Sequence, residues 1–172
     1  MRFIGLLNAA VWFGAAIFFT VCAHPAGFSS EMEKLLGAKN FPYYSGAITY
    51  ISMARFYHLE LICGAVGLLH LLLERLYLGK SPQRWWVSTL VALCFLAALG
   101  SLAIQPKLQQ LNLTQFSQQF TPENRQSAHR SYTVWRQLYY ASNFFTLAAL
   151  SFYLWRMANP PESTRFLRAR TL

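Results

Sequence analysis

The chain has 172 residues, of which 55% are hydrophobic and 12% are charged, about half the charged fraction of an average soluble domain. Its 15 Lys and Arg residues outnumber six acidic residues and give a net charge of +9. Such a charge would fit a nucleic-acid-binding protein if the basic residues formed one polar face. They instead separate long apolar segments, as in membrane proteins, so we expect no nucleic-acid partner.

Four segments are apolar for long enough to cross a bilayer, which takes about 20 residues. The sequence therefore predicts one all-α domain, a bundle of four transmembrane helices with antiparallel up-down topology. The first segment is longer than the apolar core of a signal peptide, about 7–15 residues, so we expect it to be retained. The predicted transmembrane helices cover about residues 3–23, 48–75, 85–105 and 132–156.

Capping residues predict where several helices begin and end. Ser81-Pro82 and Thr121-Pro122 each place a hydroxyl N-cap before a first-turn proline, which predicts the starts of the third and fourth helices. Ser30 and Glu33 resemble a capping box for a short helix ended by Gly37. All seven prolines, including Pro25 and Pro106, are expected at helix ends or in loops, because proline interrupts the helical hydrogen bonds.

The third and fourth helices are predicted to extend beyond the bilayer. A helix from Pro122 to Met157 would be about 54 Å long at 1.5 Å per residue, whereas the hydrocarbon core of a bilayer is about 30 Å thick. We therefore expect helices 3 and 4 to project from the membrane as a hairpin.

Positive charge predicts the orientation of the chain. Basic residues are densest near the two termini and in the second connection, and three tryptophans cluster at the same boundary, as in an aromatic belt. Both termini are therefore expected on the cytoplasmic side of the inner membrane. These residues are Arg2, Arg75, Lys80, Arg84, Arg156, Arg165, Arg168 and Arg170, with Trp85, Trp86 and Trp155.

Ionisable groups within a membrane are costly, so the polar faces of the second and fourth helices are expected to point into the bundle. We predict an Asn8–His70 contact and a Glu60–Arg136 ion pair from their similar depths. The second-helix face contains Phe56, Glu60, Cys63, Gly67, His70 and Glu74, and the fourth-helix face contains His129, Tyr132, Arg136, Tyr139, Tyr140, Asn143 and Leu147. The predicted intramembrane polar cluster is Asn8, Glu60, His70, Glu74, Arg136 and Asn143.

The chain contains no HExxH pattern, Gly-rich phosphate loop or metal-ligand spacing of Cys and His. We therefore expect no catalytic residues, no metal and no cofactor, and a protein that is not an enzyme. One alternative is haem b, because histidines on facing membrane helices can ligate haem iron. The haem candidates are His24, His58, His70 and His129.

Several segments resemble the transmembrane protein 205-like family, a four-helix membrane domain of unknown function. The matching segments are Gly5 to Thr20 with Pro25, Cys63-Gly64-Ala65 with His70, Glu74 and Tyr77, Gln105-Pro106-Lys107-Leu108, and Val134-Trp135 with Asn143. The family has His where this chain has Arg136 and Ser where it has Tyr139. The resemblance implies a bacterial or organellar multipass protein and does not supply a reaction.

Three functions remain open from the sequence. The first is a non-enzymatic structural or accessory subunit of a membrane assembly, whose partners are the lipid bilayer, other membrane subunits or further copies of this chain. The second is a transport or resistance protein for a small solute, ion or metal, which would use the polar face of the second helix. The third is a b-type cytochrome subunit.

Overall fold

The structure is a computed structural model that describes residues 2–78, 84–117 and 119–159. Within these ranges the chain is helical and contains no strand. The predicted helix start at Ser81-Pro82 and the basic C-terminal tail lie outside the described residues. The elements are α1 (Arg2–Phe18), a π turn (Phe19–Ala23), α2 (His24–Ala26), α3 (Ser30–Leu36), α4 (Phe41–Leu78), α5 (Arg84–Leu99), a second π turn (Gly100–Ile104), α6 (Gln105–Phe116) and α7 (Pro122–Ala158).

Several of these elements join end to end into long helical rods. The first rod consists of α1, its π turn and α2, and the second rod is α4. The third rod consists of α5, its π turn and α6, and the fourth rod is α7. Three rods contain segments that are long and apolar enough to cross a membrane, which is compatible with a membrane protein. These segments are Phe3–Ala26, Phe41–Tyr77 and Arg84–Phe116.

The fourth rod is long enough to span a bilayer but is less apolar than the other three. Residues 132–156, the fourth predicted span, therefore do not qualify by the same measure of hydropathy among the described residues. The reason is visible in its buried face, which carries the polar side chains of Tyr139, Asn143 and Thr146 alongside Leu150.

The rods pack side by side. The first rod contacts α4 and α7, and the third rod also contacts α4 and α7. Close approach depends on glycine, since a Cβ at Gly64 would lie 2.5 Å from the Cys94 sulfur and one at Gly67 would lie 3.0 Å from Leu90. Small residues bring membrane helices close enough for extensive van der Waals contact.

Two prolines lie within continuous rods, where the sequence predicted helix ends. Pro25 and Pro106 each follow a π turn by two residues. A proline lacks the N–H that would bond to residue i−4, and its ring clashes with that carbonyl. The wider π turn relieves both conflicts, so the helix continues through each proline with a local irregularity instead of ending.

The capping predictions can be compared with the helix ends. Thr121 is the N-cap of α7, as predicted, and its side-chain oxygen accepts from the Asn124 backbone N–H at 3.4 Å. Gly37 ends α3 with a φ of 73°, also as predicted. The N-cap of α3 is Ser29 and not Ser30. The pKa of the Glu31 carboxyl in the first turn of α3 lies below its usual value. The main cause is a hydrogen bond from its own backbone N–H, and the next is a hydrogen bond from the Ser29 side chain.

The predicted hairpin of α6 and α7 includes a third helix. Asn112 of α6 lies against Gly46 of α4, and its side-chain amide donates to the Tyr43 carbonyl at 3.5 Å. On the other side, His129 of α7 forms a 3.3 Å hydrogen bond with Gln115 of α6. The first turns of α4, which begin seven residues before the predicted span at 48–75, therefore pack with α6, which in turn contacts α7.

Candidate functional site

Glu60 is the most deeply buried acidic or basic residue described, with 1% of its surface exposed. It lies on α4, and its carboxylate oxygen Oε1 is buried without a hydrogen-bond partner. A bare carboxylate in a medium of low polarity is strongly disfavoured unless it is paired, hydrogen-bonded or protonated. Glu60 is therefore the first residue for which a functional explanation is needed.

Side chains from the first rod, α4 and α7 lie near this carboxylate. The indole N–H of Trp12 on α1 faces Glu60 without completing a hydrogen bond of normal geometry. The side chains of Tyr57 on α4 and Tyr139 on α7 also lie near the Glu60 carboxylate. The third rod contributes Gly100, whose missing side chain leaves the space that the Tyr57 ring occupies. We call Trp12, Tyr57, Glu60 and Tyr139 the Glu60 cluster.

A row of aromatic and polar groups connects the Glu60 cluster to the hairpin end of the bundle, where α6 and α7 meet. The His24 ring stacks on the Tyr139 ring with centroids 5.2 Å apart, and His24 is only half-buried. One turn further along α7, the Asn143 amide donates to the Thr20 hydroxyl at 2.7 Å. Polar side chains therefore extend from the cluster to a residue that reaches the surface.

The predicted polar face of α4 lies in the bundle interior. Glu60, Cys63 and His70 are buried, and Glu74 is about one-third exposed near the end of the helix. His70 Nε2 lies 3.8 Å from Glu74 Oε1. Ten residues separate Glu60 from His70, which corresponds to about 15 Å along the helix, so these two ionisable groups form separate sites.

The predicted Asn8–His70 contact does not take the form of a hydrogen bond between the two described side chains. The Asn8 amide donates instead to the backbone carbonyl of Cys63 at 2.9 Å, two helical turns from His70. The His70 imidazole packs against Gly5, where an added Cβ would lie 2.8 Å from Nε2. The similar depths of Asn8 and His70 correctly predicted that the first rod contacts α4. The rotation of α1 about its own axis, however, points the Asn8 amide at the α4 backbone.

The predicted Glu60–Arg136 ion pair is wrong, because no Lys or Arg lies within 4 Å of an acidic side chain among the described residues; the one pair at that distance joins His70 and Glu74. Arg136 is exposed, and its guanidinium lies 5.9 Å from the centroid of the Tyr132 ring. Tyr132 in turn accepts a 2.9 Å hydrogen bond from Tyr50. A long arginine side chain near the end of a buried stripe can extend outward and keep its charge in a polar environment.

The four histidines considered as haem ligands lie in different surroundings. His24 stacks on Tyr139, and His70 is close to Glu74. His58 is exposed on α4, and His129 is exposed on α7. No contact between two of these histidines occurs in the part of the chain that the structure describes, nor does a group of three potential metal ligands among His, Cys, Asp and Glu.

Two cavities open on the surface of the bundle at its opposite ends. One, of about 270 Å³, lies near the ends of α5 and α7 that adjoin the chain termini. The other, of about 240 Å³, lies between α4 and α6 near the hairpin end. The first is lined by Trp85, Trp86, Thr89, Phe152, Tyr153 and Arg156, and the second by Tyr50, Ile51, Ala54, Arg55, His58, Gln105 and Gln109.

The sequence interpretation missed part of the Glu60 cluster. Trp12 follows Asn8 by four residues and so shares its face of α1, and Tyr57 precedes Glu60 by three residues on α4. Helical spacing could therefore have grouped each with a recognised polar residue. The sequence interpretation also missed the hydrogen bond between Thr20 and Asn143, because helical spacing groups residues within one helix and does not pair residues of different helices.

Comparison of the chain with protein-family models, curated proteins and solved structures gave no match in any of the three. The functional conclusion therefore depends on the geometry of this chain.

Proposed function

We propose that this chain is a multipass inner-membrane transport protein with four spanning helices, in which Glu60 is the proton-carrying group. The observation that carries the proposal is the burial of Glu60, whose Oε1 has no hydrogen-bond partner, between α4, the first rod and α7. Intramembrane carboxylates in such positions commonly belong to proton or ion pathways.

The fourth span in this proposal is α7. Its polar residues Asn143 and Thr146 are buried, whereas the outward surface of the same segment is apolar. Hydrocarbon would therefore contact mainly apolar side chains, although the average hydropathy of α7 is lower than that of the other rods. The exposed apolar residues of this segment include Leu138, Phe144, Phe145, Phe152 and Trp155.

Charge supports an orientation with both termini in the cytoplasm. Arg75, Arg84 and Arg156 lie at the terminal end, together with Trp85 and Trp155. Basic residues flanking short connections favour the cytoplasmic side, and tryptophan favours the membrane interface. The hairpin of α6 and α7 would then project on the opposite side of the membrane.

The transport hypothesis assigns Glu60 a change of protonation during each cycle. A proton would reach it from the hairpin end by way of His24 and Tyr139, whose side chains can each donate and accept hydrogen bonds. His70 and Glu74 would provide the second site nearer the terminal end. Since about 15 Å separates Glu60 from His70 along α4, proton transfer between them would require hydration of the interior during the cycle.

Proton flux in liposomes tests this proposal. We expect the purified protein, reconstituted with an internal pH-sensitive dye, to conduct protons when a membrane potential is imposed. Glu60→Gln preserves size but cannot ionise, so we expect it to reduce the flux at least tenfold, a loss of about 1.4 kcal/mol or more. Glu31→Gln is the matched control, because Glu31 is exposed on α3 outside the bundle interior, and it should retain wild-type flux.

Two results would contradict the transport proposal. One is a wild-type flux no greater than that of empty liposomes, and the other is a Glu60→Gln variant that conducts as well as wild type. Far-UV circular dichroism of each variant checks that the helical content is unchanged.

The exposed aromatic residues of α7 favour a second candidate, an accessory subunit or homo-oligomer. Phe144, Phe145 and Trp155 are each more than half exposed, and aromatic side chains are enriched at protein interfaces. Purification in mild detergent, followed by mass determination, distinguishes the two candidates. Stoichiometric companions or a defined oligomer, together with no proton flux, would replace the transport proposal by this one.

We also propose that the chain belongs to the transmembrane protein 205-like family, on the strength of the four segments that resemble it.

A further inference from the structure

The cavity between α4 and α6 differs from the bundle interior because it opens to the surface and is lined by charged and polar side chains as well as apolar ones. We call it the hairpin-end groove, as defined by its seven lining residues, which are Tyr50, Ile51, Ala54, Arg55, His58, Gln105 and Gln109. Arg55 and His58 are both exposed there. Arg55 makes no ion pair with any acidic residue that the structure describes, so its positive charge remains available to a ligand.

The donors in the groove are arranged for an anion. His58 Nδ1 lies 2.5 Å from the Ala54 carbonyl, and since a carbonyl can only accept, Nδ1 carries the proton. The second nitrogen, Nε2, is an acceptor in the neutral ring and donates to a ligand only when the imidazole is protonated. The Gln105 amide donates to Gln109 Oε1 at 3.3 Å, which leaves the amide N–H groups of Gln109 unused in the described hydrogen bonds.

The depth of the groove corresponds to a membrane interface. Gln105 lies 20 residues after Trp85 on the third rod, about 30 Å at 1.5 Å per residue. Arg55 lies 22 residues before Tyr77 on α4, about 33 Å. If the aromatic residues at the terminal end mark one edge of a hydrocarbon core about 30 Å thick, Arg55 and Gln105 lie at the other edge.

Phospholipid phosphates lie at this level, next to the ends of the acyl chains. The groove combines the cationic Arg55 with the apolar side chains of Ile51 and Ala54, so it offers contacts to both parts of such a lipid. Arginine binds phosphate oxygens through two parallel N–H donors, which makes it well suited to this ligand.

We propose that the hairpin-end groove binds the phosphate of a phospholipid in the leaflet on the hairpin side, with Arg55 as the main ligand and Gln109 as an additional donor, joined by His58 Nε2 when that imidazole is protonated. This inference depends on the proposed membrane placement but not on the proposed role of Glu60. The bound lipid would hold α4 and α6 together on the side of the bundle that α7 does not cover.

Binding of a short-chain phosphatidylglycerol to the full chain in uncharged detergent tests the proposal, with native mass spectrometry as the measurement. We expect Arg55→Gln to raise the apparent Kd at least tenfold, equivalent to about 1.4 kcal/mol. Arg130→Gln is the matched control, since Arg130 is an exposed arginine near the same end of the bundle but outside the groove. It should bind as wild type does.

A second variant separates shape from charge. Ala54→Phe keeps Arg55 but fills the groove from its floor, so it should also weaken binding at least tenfold. Ala54 is half-buried, and the thermal unfolding temperature of each variant checks that the bundle remains folded. Arg55 is exposed, so Arg55→Gln should leave this temperature unchanged in the absence of lipid.

The proposal is overturned if Arg55→Gln binds like wild type, or if Arg130→Gln loses as much affinity, which would indicate charge attraction without a site. Equal binding of the matching diacylglycerol would show that the phosphate is not recognised. Equally tight binding of inorganic phosphate would indicate a site for soluble phosphate.

Extraction of the chain from membranes by alkaline carbonate would contradict the membrane placement itself, whereas an integrated chain that binds no lipid contradicts only this inference.

Discussion

The two halves of the bundle are stabilised in different ways. In the half near the chain termini, fully buried Leu90, Leu93 and Leu150 pack between the rods, and glycines allow close approach. The half near the hairpin contains both π turns and the hydrogen bonds that join Asn143 to Thr20 and Tyr50 to Tyr132. Membrane helices associate through both kinds of contact, since lipid leaves little hydrophobic drive between them.

The proposed role of Glu60 would give this difference a functional meaning. Glu60 lies where the apolar packing of the terminal half meets the polar contacts of the hairpin half. Proline and π turns make the helical hydrogen bonds of the first and third rods irregular in the hairpin half, and such irregularities are frequent at functional sites. We therefore expect the terminal half to be the more rigid of the two.

The largest expected effect comes from a cavity in the terminal half. Leu90 has no exposed surface, and Leu90→Ala should lower the free energy of unfolding by about 2–5 kcal/mol, because neighbouring side chains cannot fill the space left behind. Unfolding in mixed detergent and SDS, followed by circular dichroism, measures the change. Leu69→Ala removes the same atoms from a side chain that is 55% exposed, and an equal loss there would show that Leu90 is not a core residue.

An intermediate effect is expected where the third rod contacts Tyr57. A Cβ at Gly100 would overlap the Tyr57 ring, so Gly100→Ala should cost about 1–3 kcal/mol in unfolding free energy through overpacking. Gly14 provides the matched control, since no atom lies within 4 Å of its added Cβ. Gly14→Ala should cause no loss, because alanine favours a helix more than glycine does. Equal behaviour of the two variants would contradict the close contact.

The smallest expected effect tests the polar contacts of the hairpin half. Asn143→Leu and Thr20→Val each remove one partner of the 2.7 Å hydrogen bond. A double-mutant cycle on unfolding free energy should give a coupling of about 0.6–2 kcal/mol, the usual range for polar contacts between membrane helices. Strict additivity of the two changes would mean that this bond does not stabilise the hairpin half.

Much of the fold could be predicted from local sequence. Apolar length identified three segments that can cross a membrane, and the spacing of Glu60, Cys63 and His70 identified the buried face of α4. Thr121 and Gly37 marked the beginning of α7 and the end of α3, since capping depends on the residues next to the helix end. These properties depend on a single helix and its immediate neighbours in sequence.

The contacts of the candidate site could not be predicted in the same way. Arg136 lies on a helical stripe with Tyr139 and Asn143, but its long side chain extends outward at the end of that stripe. The placement of Trp12 against Glu60 depends on how far α1 is rotated about its axis. Residue periodicity shows which side chains share a face, but it does not set the rotation or depth of one helix relative to another.

The sequence by itself determined the helical character of the described chain, its apolar segments and the polar face of α4, because these depend on composition and helical spacing. Only the tertiary structure decided that Glu60 lies among Trp12, Tyr57 and Tyr139, and that the rods continue through Pro25 and Pro106 after π turns. The physical reason is that close packing of four rods at small residues selects one rotation for each helix, and this selection involves residues far apart in the chain.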